Sequence, residues 1–232
     1  MDLSFRADLP ELMDAEDLDI AEYNRCLADL AKVNKLTMTH RSTLQFLQSA
    51  TARLSPGVKI SVLDIAFGHG DLLRAIARWA AKRGFHATLS GIDLNPRSAA
   101  AARAATSASE HIEFLTGDVF SYTPRQKPDF IVTSQFTHHL TDADIVKLLR
   151  WMDERALSGW HIADLHRHAL PYYGFRLLCR LMGWHHIVRY DGTVSIARSF
   201  KKSDWQTYLR QASIAADVTW HPLFRYAVAR LK

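Results

Sequence analysis

Several histidines in the second half of this sequence stand beside acidic residues and could move a proton. His138 and His139 are adjacent, and His166 and His168 follow Asp164 in the run Asp-Leu-His-Arg-His. A neutral imidazole accepts a proton near pH 7, as deprotonation of a phenol or another hydroxyl requires. The two segments predict a general base, with His139, His166 and His138 as candidates. Hydrogen bonding to nearby loops is the alternative role for each histidine.

Ligand spacings typical of zinc sites are missing from the sequence. The paired histidines are adjacent or one residue apart, and neither pair has a carboxylate or cysteine arrangement of the zinc type nearby. Cys26 and Cys179 are the only cysteines, form no C-x-x-C motif and fall in predicted helices. We therefore predict no metal site and no covalent thiolate catalysis. Two reduced thiols also indicate a cytoplasmic protein.

A turn containing glycines follows the apolar run Val-Leu-Asp-Ile. Asp64, Ala66, Gly68 and Gly70 are spaced two residues apart in this turn. Glycine lets a backbone approach a ligand closely, and the ligand then lies over the end of the strand and the start of the next helix. Leu73 occupies the third glycine position of the dinucleotide pattern G-x-G-x-x-G. The turn predicts a cofactor site but argues against NAD or FAD.

Three further motifs follow apolar runs that we predict to be strands. Each is a polar residue with its successor at a strand end: Asp93 with Leu94, Asp118 with Val119, and Ser134 with Gln135. Together with the glycine turn, and in this order, they resemble the four motifs of the class I S-adenosylmethionine-dependent methyltransferases. The resemblance covers about residues 59–165. It implies S-adenosylmethionine as the cofactor and S-adenosylhomocysteine as its product.

The resemblance also implies roles for individual residues. Asp64, Gly68 and Gly70 match the family pattern D-x-G-x-G-x-G, whereas Ala66 replaces its first glycine. We expect the alanine methyl group to crowd the methionine part of the cofactor if φ is positive there. The remaining implied contacts are to the ribose hydroxyls (Asp93), the adenine ring (Leu94, Asp118 and Val119), the reactive methyl group (Ser134 and Gln135) and, from an N-terminal helix, the cofactor carboxylate (Arg41).

The order of the apolar runs predicts the elements that position these residues. Short β-branched runs alternate with helical patterns from about residue 59 to residue 165, and the last residues form two alternating runs typical of a hairpin. We predict an α/β Rossmann-like methyltransferase fold with a mostly parallel seven-stranded sheet and an antiparallel C-terminal hairpin. Residues 1–57 are predicted as an acidic arm and helical cover, and residues 58–232 as the cofactor-binding core of a single domain.

Composition narrows the functional classes further. The 232 residues are 48% hydrophobic and 23% charged, which is typical of a folded globular chain. No apolar run is long enough to span a membrane, and the first nineteen residues hold seven acids and one arginine, unlike a secretory leader. We interpret residues 1–20 as a solvated arm. A sequence pI near 9.3 permits an anionic partner without requiring one.

We predict O-methylation of a small phenolic or polyketide-like acceptor. Quinone-type C- or O-methylation, RNA methylation and a non-catalytic cofactor-binding relative are the alternatives. Adenine amine methylases carry an Asn/Asp-Pro-Pro-Tyr/Phe run where this chain has Ser-Gln-Phe-Thr, and no RNA-binding module is evident. We therefore expect an aromatic small-molecule acceptor, no nucleic acid, and a homodimer as one possibility. The apolar segment 172–184 predicts a core helix, with an acceptor lid or a membrane contact as alternatives.

Overall fold

A seven-stranded sheet forms the centre of the protein in the computed structural model, which describes residues 1–15 and 17–232. Its strands are β1 (Lys59–Ile65), β2 (His86–Asp93), β3 (Ile112–Thr116), β4 (Phe130–Ser134), β5 (Gly159–Leu165), β6 (Asp217–His221) and β7 (Arg225–Leu231). Their spatial order is β3-β2-β1-β4-β5-β7-β6, and β7 pairs antiparallel with both β5 and β6. The predicted mostly parallel sheet with an antiparallel C-terminal hairpin is confirmed.

Eight α-helices accompany the sheet in the described part of the chain. They are α1 (Ile20–Leu36), α2 (Arg41–Ala50), α3 (Asp71–Arg83), α4 (Pro96–Ala104), α5 (Asp142–Arg155), α6 (Ala169–Met182), α7 (His186–Arg198) and α8 (Lys202–Ala212). The side chains of Asp19, Asn95 and Thr141 accept backbone N–H groups where α1, α4 and α5 begin. Side-chain caps therefore fix the starts of these three helices.

Two helices differ from the sequence interpretation. The sequence predicts Ser203 as the N-cap of a helix, but Ser203 lies inside α8, which begins at Lys202 because the Asp204 carboxylate accepts the backbone N–H of Lys201. Helix α7 has no counterpart among the predicted elements. Since apolar Val188 and polar Asp191 are both buried in α7, the helix lacks the one-sided apolar stripe that reveals a surface helix.

Apolar side chains pack on both faces of the sheet. Leu148 of α5 and Trp205 of α8 are fully buried on one face, and Phe46 of α2 and Leu73 of α3 are buried on the other. Strands β1, β4 and β5 are therefore covered on both sides, which explains their continuous apolar runs. The layers hold the carboxyl ends of the parallel strands at one common edge.

The N-terminal arm packs across that edge, so the interpretation of residues 1–20 as a solvated arm is wrong for its described part; residue 16 lies outside the described residues. Arg6 donates hydrogen bonds to the carbonyl oxygens of His138 and Leu140. Arg198 of α7 donates to the carbonyl of Leu9, and Met13 is buried. The arm is held because two guanidinium groups satisfy carbonyl oxygens on both it and the loop after β4.

Among the described residues, no helix combines the length and the apolar character needed to cross a lipid bilayer. The N-terminal helices instead pack on the rest of the chain. Tyr23 and Leu27 of α1 are buried against Val188 of α7, and Phe46 of α2 contacts His161 of β5. The division into residues 1–57 and 58–232 stays a prediction.

Candidate functional site

The turn between β1 and α3 has an unusual backbone for its sequence. Ala66, Gly68 and Gly70 all have positive φ, at 57°, 53° and 72°. A left-handed conformation costs a residue with a β-carbon about 1–2 kcal/mol, so Ala66 is strained where glycine would not be. The backbone at Ala66 thus has the positive φ that the expected crowding requires.

The two glycines of this turn serve different purposes. A β-carbon on Gly68 would meet nothing within 4 Å, whereas one on Gly70 would lie 2.8 Å from the ring of Phe114. Gly68 therefore leaves an open cradle beside the turn, and Gly70 allows α3 to pack against β3. Only the first of these two positions faces space that a ligand could occupy.

A cavity of about 430 Å³ opens beside the cradle, a volume typical of small-molecule sites. Asp64, Ala66, Gly68, Ser134 and Gln135 from the sequence-derived cofactor set line it. The hydroxyl oxygen of Ser134 is buried without a hydrogen-bond partner. An unpartnered polar atom and an open cradle on one wall fit a ligand with both donor and acceptor groups.

Asp64 is the buried acid of this wall. Burial raises the pKa of its carboxyl well above the ordinary value, and the nearby carboxylates of Asp71 and Asp93 raise it further. A bound cation would reverse part of this effect by stabilising the carboxylate. Asp64 is therefore placed to recognise a positively charged group inside the cavity.

Asp93 lies at the end of β2 and organises the glycine turn. One of its carboxylate oxygens accepts the backbone N–H of Gly68 at 2.9 Å, and the other accepts that of Asn95 at 2.9 Å. Burial raises the pKa of Asp93, and these two hydrogen bonds oppose the shift. The Asp93 side chain itself is not part of the cavity lining. The next residue, Leu94, is 74% exposed.

The motif after β3 lies away from the cavity lining. Asp118 is exposed and accepts the backbone N–H of Phe120, which is ordinary turn chemistry, while Val119 is buried in the core. Arg41, predicted to grip the cofactor carboxylate, is exposed at the start of α2 and does not line the cavity. Its neighbour His40 does, because the turn from α1 into α2 directs that imidazole inward.

A polar network that the sequence did not reveal surrounds the cavity at α1. The Asp71 carboxylate lies 3.0 Å from Nε2 of His40 and accepts a hydrogen bond from Asn34. Asn34 in turn accepts the side-chain N–H of Gln135, whose φ is 55°. Asp71 could have been found from the sequence, because it is an acidic residue that directly follows the glycine turn. Asn34 carries no signal because only the packing of α1 brings it there, whereas His40 directly precedes Arg41, which the sequence had placed over the cofactor.

A buried carboxylate at the end of β5 fixes the loop after β4. Asp164 is fully buried and lies 2.7 Å from Nδ1 of His138, and it also accepts the hydroxyl of Thr137. Because Nδ1 faces this carboxylate, Nε2 of His138 points the other way. It lies 3.6 Å from the carboxylate of Glu11 in the N-terminal arm.

Glu11 also approaches the second histidine. Its carboxylate lies 3.8 Å from Nε2 of His139, and it accepts the hydroxyl of Ser195 at 2.8 Å. Burial would raise the pKa of Glu11, but His138 and His139 outweigh it and lower the pKa to about 2. Burial would lower the pKa of His138, but Asp164 and Glu11 raise it to about 9. A protonated His138 is therefore held between two carboxylates.

The side chains of Glu11, His138 and His139 also lie close enough together to bind one metal ion. One atom each from Glu11, His138 and His139 lie within 4.8 Å of one another. The sequence predicted no metal site because histidine spacing alone does not reveal a third ligand from a distant arm. The cluster could hold a divalent cation with coordination positions left open toward the cavity.

His166 does not belong to this cluster. It is half-buried against the rings of Phe224 and Tyr226, its Nδ1 atom is buried without a partner, and it does not line the cavity. Burial lowers the pKa of His166, and His168 lowers it further. Of the three candidate bases, His138 and His139 therefore line the cavity, whereas His166 lies outside the lining because β5 turns it toward the C-terminal hairpin.

Most of the remaining cavity wall is apolar, although Thr37, Asp191, Ser195 and Arg225 also line it. It is formed by residues of α1, α6, α7 and the C-terminal hairpin: Leu27, Leu30, Val33, Pro171, Phe175, Leu178, Ile196, Leu223 and Phe224. A ligand on this side meets aliphatic and aromatic carbon, with the Glu11, His138 and His139 side chains at one end. The geometry suits an apolar molecule that carries a single polar group.

Comparison with known proteins identifies the domain around the glycine turn. Residues 62–157 match the family model described as a methyltransferase domain, from β1 to the end of α5. No curated protein matches the sequence. The resemblance to the class I S-adenosylmethionine-dependent methyltransferases, stated from four motifs, is confirmed.

Solved methyltransferase structures share the fold of nearly the whole chain. The plantazolicin methyltransferase BpumL, in complex with a triazolic desmethylPZN analog and S-adenosylhomocysteine, has a TM-score of 0.67 at 14% identity over 90% of this chain and 90% of its own. Magnesium protoporphyrin IX methyltransferase from Synechocystis PCC 6803, with bound S-adenosylhomocysteine, has a TM-score of 0.55 at 15% identity over 84% and 82%. A methyltransferase from Aquifex aeolicus reaches 0.61 at 17% identity over 92% and 98%. These likenesses establish the fold.

Proposed function

We propose that this chain, built on the class I methyltransferase fold, uses S-adenosylmethionine to methylate a hydroxyl oxygen of a small apolar acceptor. The observation that carries the proposal is a single cavity with two unlike walls. One wall holds the glycine cradle with Asp64 and Ser134, and the other is apolar, with His139 at its polar end. A methyl donor and an apolar acceptor could therefore lie in one enclosed space.

The cofactor assignment is supported by the methyltransferase domain and by the structures that hold S-adenosylhomocysteine. When bound, the cofactor supplies a methyl group already activated on a sulfonium. In our proposal Asp64 and Ser134 contact its methionine part beside Gly68. Asp93 accepts the ribose hydroxyls with its remaining lone pairs.

The adenine contacts proposed from the sequence are weaker. Leu94, Asp118 and Val119 lie on the side of β2 and β3, outside the cavity lining. Asp118 keeps its turn hydrogen bond and offers its other carboxylate oxygen to the ring amine. Because Arg41 lies outside the cavity lining, we assign the contact with the cofactor carboxylate to the side of the cavity that holds His40 and Asn34.

His139 is the proposed proton acceptor. It lines the cavity and its side chain is 29% exposed, whereas His138 is buried and already protonated between Asp164 and Glu11. The acceptor oxygen would bond to the methyl carbon as the bond from that carbon to the sulfonium sulfur breaks and S-adenosylhomocysteine leaves, and the hydroxyl proton would pass to His139. The Glu11 carboxylate then faces the resulting imidazolium and stabilises its charge. His138 acts as a positioning residue that holds Glu11.

The apolar wall supports an aromatic acceptor of phenolic or polyketide type. Phe175 and Phe224 line it, and Leu27, Leu30 and Val33 of α1 add aliphatic carbon beside them. Quinone-type methylation would use the same wall and stays an alternative. RNA methylation is not favoured, because the cavity mouth at Leu170 and Leu223 is apolar rather than a basic groove with stacking platforms.

A divalent cation on Glu11, His138 and His139 is the second candidate for activation of the acceptor hydroxyl, on the strength of their mutual distances. A cation would bind the oxygen directly and favour its deprotonated form. In that case turnover would fall after dialysis against a chelator and return with added Mn²⁺ or Mg²⁺. Proton transfer to His139 alone predicts turnover that a chelator leaves unchanged.

Calorimetric titration with S-adenosylhomocysteine, with NADH as the control ligand, tests the cofactor assignment. Turnover on a panel of phenols then compares His139→Gln with His166→Gln. We expect His139→Gln to lose about 10²- to 10⁴-fold in kcat with unchanged S-adenosylhomocysteine affinity, and His166→Gln to keep its activity. Tight cofactor binding without methylated product on any phenol or quinone would favour the non-catalytic alternative.

A further inference from the structure

Helix α6 presents an apolar stripe to solvent. Leu170, Tyr173, Leu177 and Leu181 recur at the spacing of one helix face and are all more than half exposed, with Leu181 at 74% and Leu177 at 59%. At 1.5 Å per residue the stripe is about 16 Å long. Scattered exposed apolar side chains are normal, but a continuous stripe of this kind marks an interaction surface.

Arginines flank this stripe on one side. Arg176 precedes Leu177 and Arg180 precedes Leu181, so each guanidinium lies roughly 100° around the helix from a stripe leucine. Both arginines are exposed, and the α6 sequence contains no aspartate or glutamate. An apolar face bordered by arginine, with a tyrosine among its members, is the pattern of a helix that lies in a membrane interface.

The other side of the same helix lines the cavity. Leu178, which follows Leu177, contacts the cavity, as do Pro171 and Phe175. Leu170 belongs to both the stripe and the cavity lining, and Leu223 of the hairpin lines the cavity while 46% exposed. The stripe and the apolar wall of the cavity are therefore one continuous surface that meets at the mouth.

We propose that the α6 stripe docks this protein on an anionic lipid bilayer, so that a lipophilic acceptor enters the cavity from the membrane between α6 and the C-terminal hairpin. This proposal rests on the proposed function for the identity of the reaction. The leucines enter the acyl boundary, Tyr173 lies at the headgroup level, and Arg176 and Arg180 pair with lipid phosphates. The enclosed polar end of the cavity then receives the hydroxyl of the acceptor.

A second copy of the chain fits the stripe less well than a bilayer does. In a two-fold symmetric pair, the same arginines of both copies would border one apolar contact, and α6 offers no carboxylate to neutralise them. Anionic phosphates are complementary to that charge, whereas another α6 is not. Charge complementarity therefore favours an anionic lipid surface over a second copy of the chain as the partner of the α6 stripe.

Vesicle flotation of the full chain tests the docking surface. The vesicles contain phosphatidylcholine alone or with phosphatidylglycerol, and the variants are Leu177→Gln/Leu181→Gln and Arg176→Gln/Arg180→Gln. The matched control is Leu157→Gln/Leu231→Gln, because these leucines are each 53% exposed but lie where β5 begins and β7 ends. Analytical ultracentrifugation measures the oligomeric state of each protein.

We expect the wild type and the control to float with anionic vesicles, and both α6 variants to lose at least tenfold in bound fraction. Salt should weaken the binding of the wild type. No flotation of the wild type at low salt, or equal flotation of the leucine variant, would overturn the proposal. So would a dimer that dissociates in Leu177→Gln/Leu181→Gln, because a second copy would then occupy the stripe.

The failure of this proposal is distinguishable from the failure of the proposed function. Leu177 and Leu181 do not line the cavity, so their variants should keep S-adenosylhomocysteine affinity and turnover on a water-soluble phenol. Vesicle binding without cofactor binding would leave the docking surface standing and remove the methyltransferase assignment. Cofactor binding without vesicle binding would leave the methyltransferase assignment standing and remove the docking surface.

Discussion

Nδ1 of His138 lies 2.7 Å from the Asp164 carboxylate, and this contact turns the opposite ring nitrogen toward Glu11 in the N-terminal arm. Asp164, at the end of β5, thereby orients the His138 side chain after β4. The ring points toward the N-terminal arm, which precedes every strand. The arm is therefore part of the site rather than an appendage. Glu11 can be tested without disturbing the sheet.

Glu11→Gln should lower kcat by about 10²-fold or more and leave S-adenosylhomocysteine affinity unchanged, because it removes the charge that stabilises protonated His139. Steady-state kinetics and calorimetry measure the two quantities. Asp8→Asn is the matched control, since Asp8 is an exposed acid of the same arm. Equal losses of turnover in both variants would indicate an effect of arm charge in general.

Asp93→Asn should weaken S-adenosylhomocysteine binding by about 1–3 kcal/mol, the range of hydrogen bonds to a charged group. The ribose hydroxyls would lose one charged acceptor, and the N–H groups of Gly68 and Asn95 would compete for the remaining oxygen. Calorimetry measures the affinity, and Glu113→Gln on the exposed face of β3 serves as the control. Unchanged affinity would remove Asp93 from the ribose contact.

Ala66→Gly should raise the free energy of unfolding by up to about 1 kcal/mol, because glycine adopts φ of 57° without the strain that a β-carbon brings. Urea unfolding gives the value. Ala77→Gly inside α3 provides a control of opposite sign, since glycine destabilises a helix interior by roughly 1 kcal/mol. A destabilised Ala66→Gly variant would show that the alanine methyl group matters more to packing than its φ does.

His161 should make the protein acid-sensitive. Burial, with a smaller contribution from His221, lowers the pKa of this imidazole from 6.5 to about 3. The unfolded chain therefore binds a proton in a pH range where the folded chain does not, and stability is lost as pH falls from about 6.5 toward 3.

In His161→Gln, the unfolding free energy should depend less steeply on pH between pH 7 and pH 5. The reason is that unfolding then takes up fewer protons, by up to about one. Urea unfolding at a series of pH values measures this slope. His86→Gln, at an exposed imidazole on β2, should keep the wild-type slope. An identical slope in wild type and His161→Gln would show that the imidazole gains a proton without unfolding.

The sequence by itself determined the sheet and the helices with capping signals, and several of its predicted cofactor residues line one wall of the cavity. Local patterns encode these features, because strand burial produces apolar runs, Asp64 and Asp93 lie at the ends of β1 and β2, and Gly68 lies in the turn after β1. The same logic misjudged α7, which shows no one-sided stripe since it is buried on several sides. Arg41 lies outside the cavity lining while its neighbour His40 lies within it, because the turn that precedes α2 directs the His40 imidazole inward.

Only the tertiary structure decided how the reactive end is assembled. Glu11 is separated from His138 by more than half of the chain, and no periodicity links an acidic arm to a loop after β4. Their meeting depends on Arg6 and Arg198, whose guanidinium groups tie the arm to the carbonyl oxygens around His138. Such contacts follow from packing and from hydrogen-bond satisfaction across the fold, which a reading of neighbouring residues does not contain.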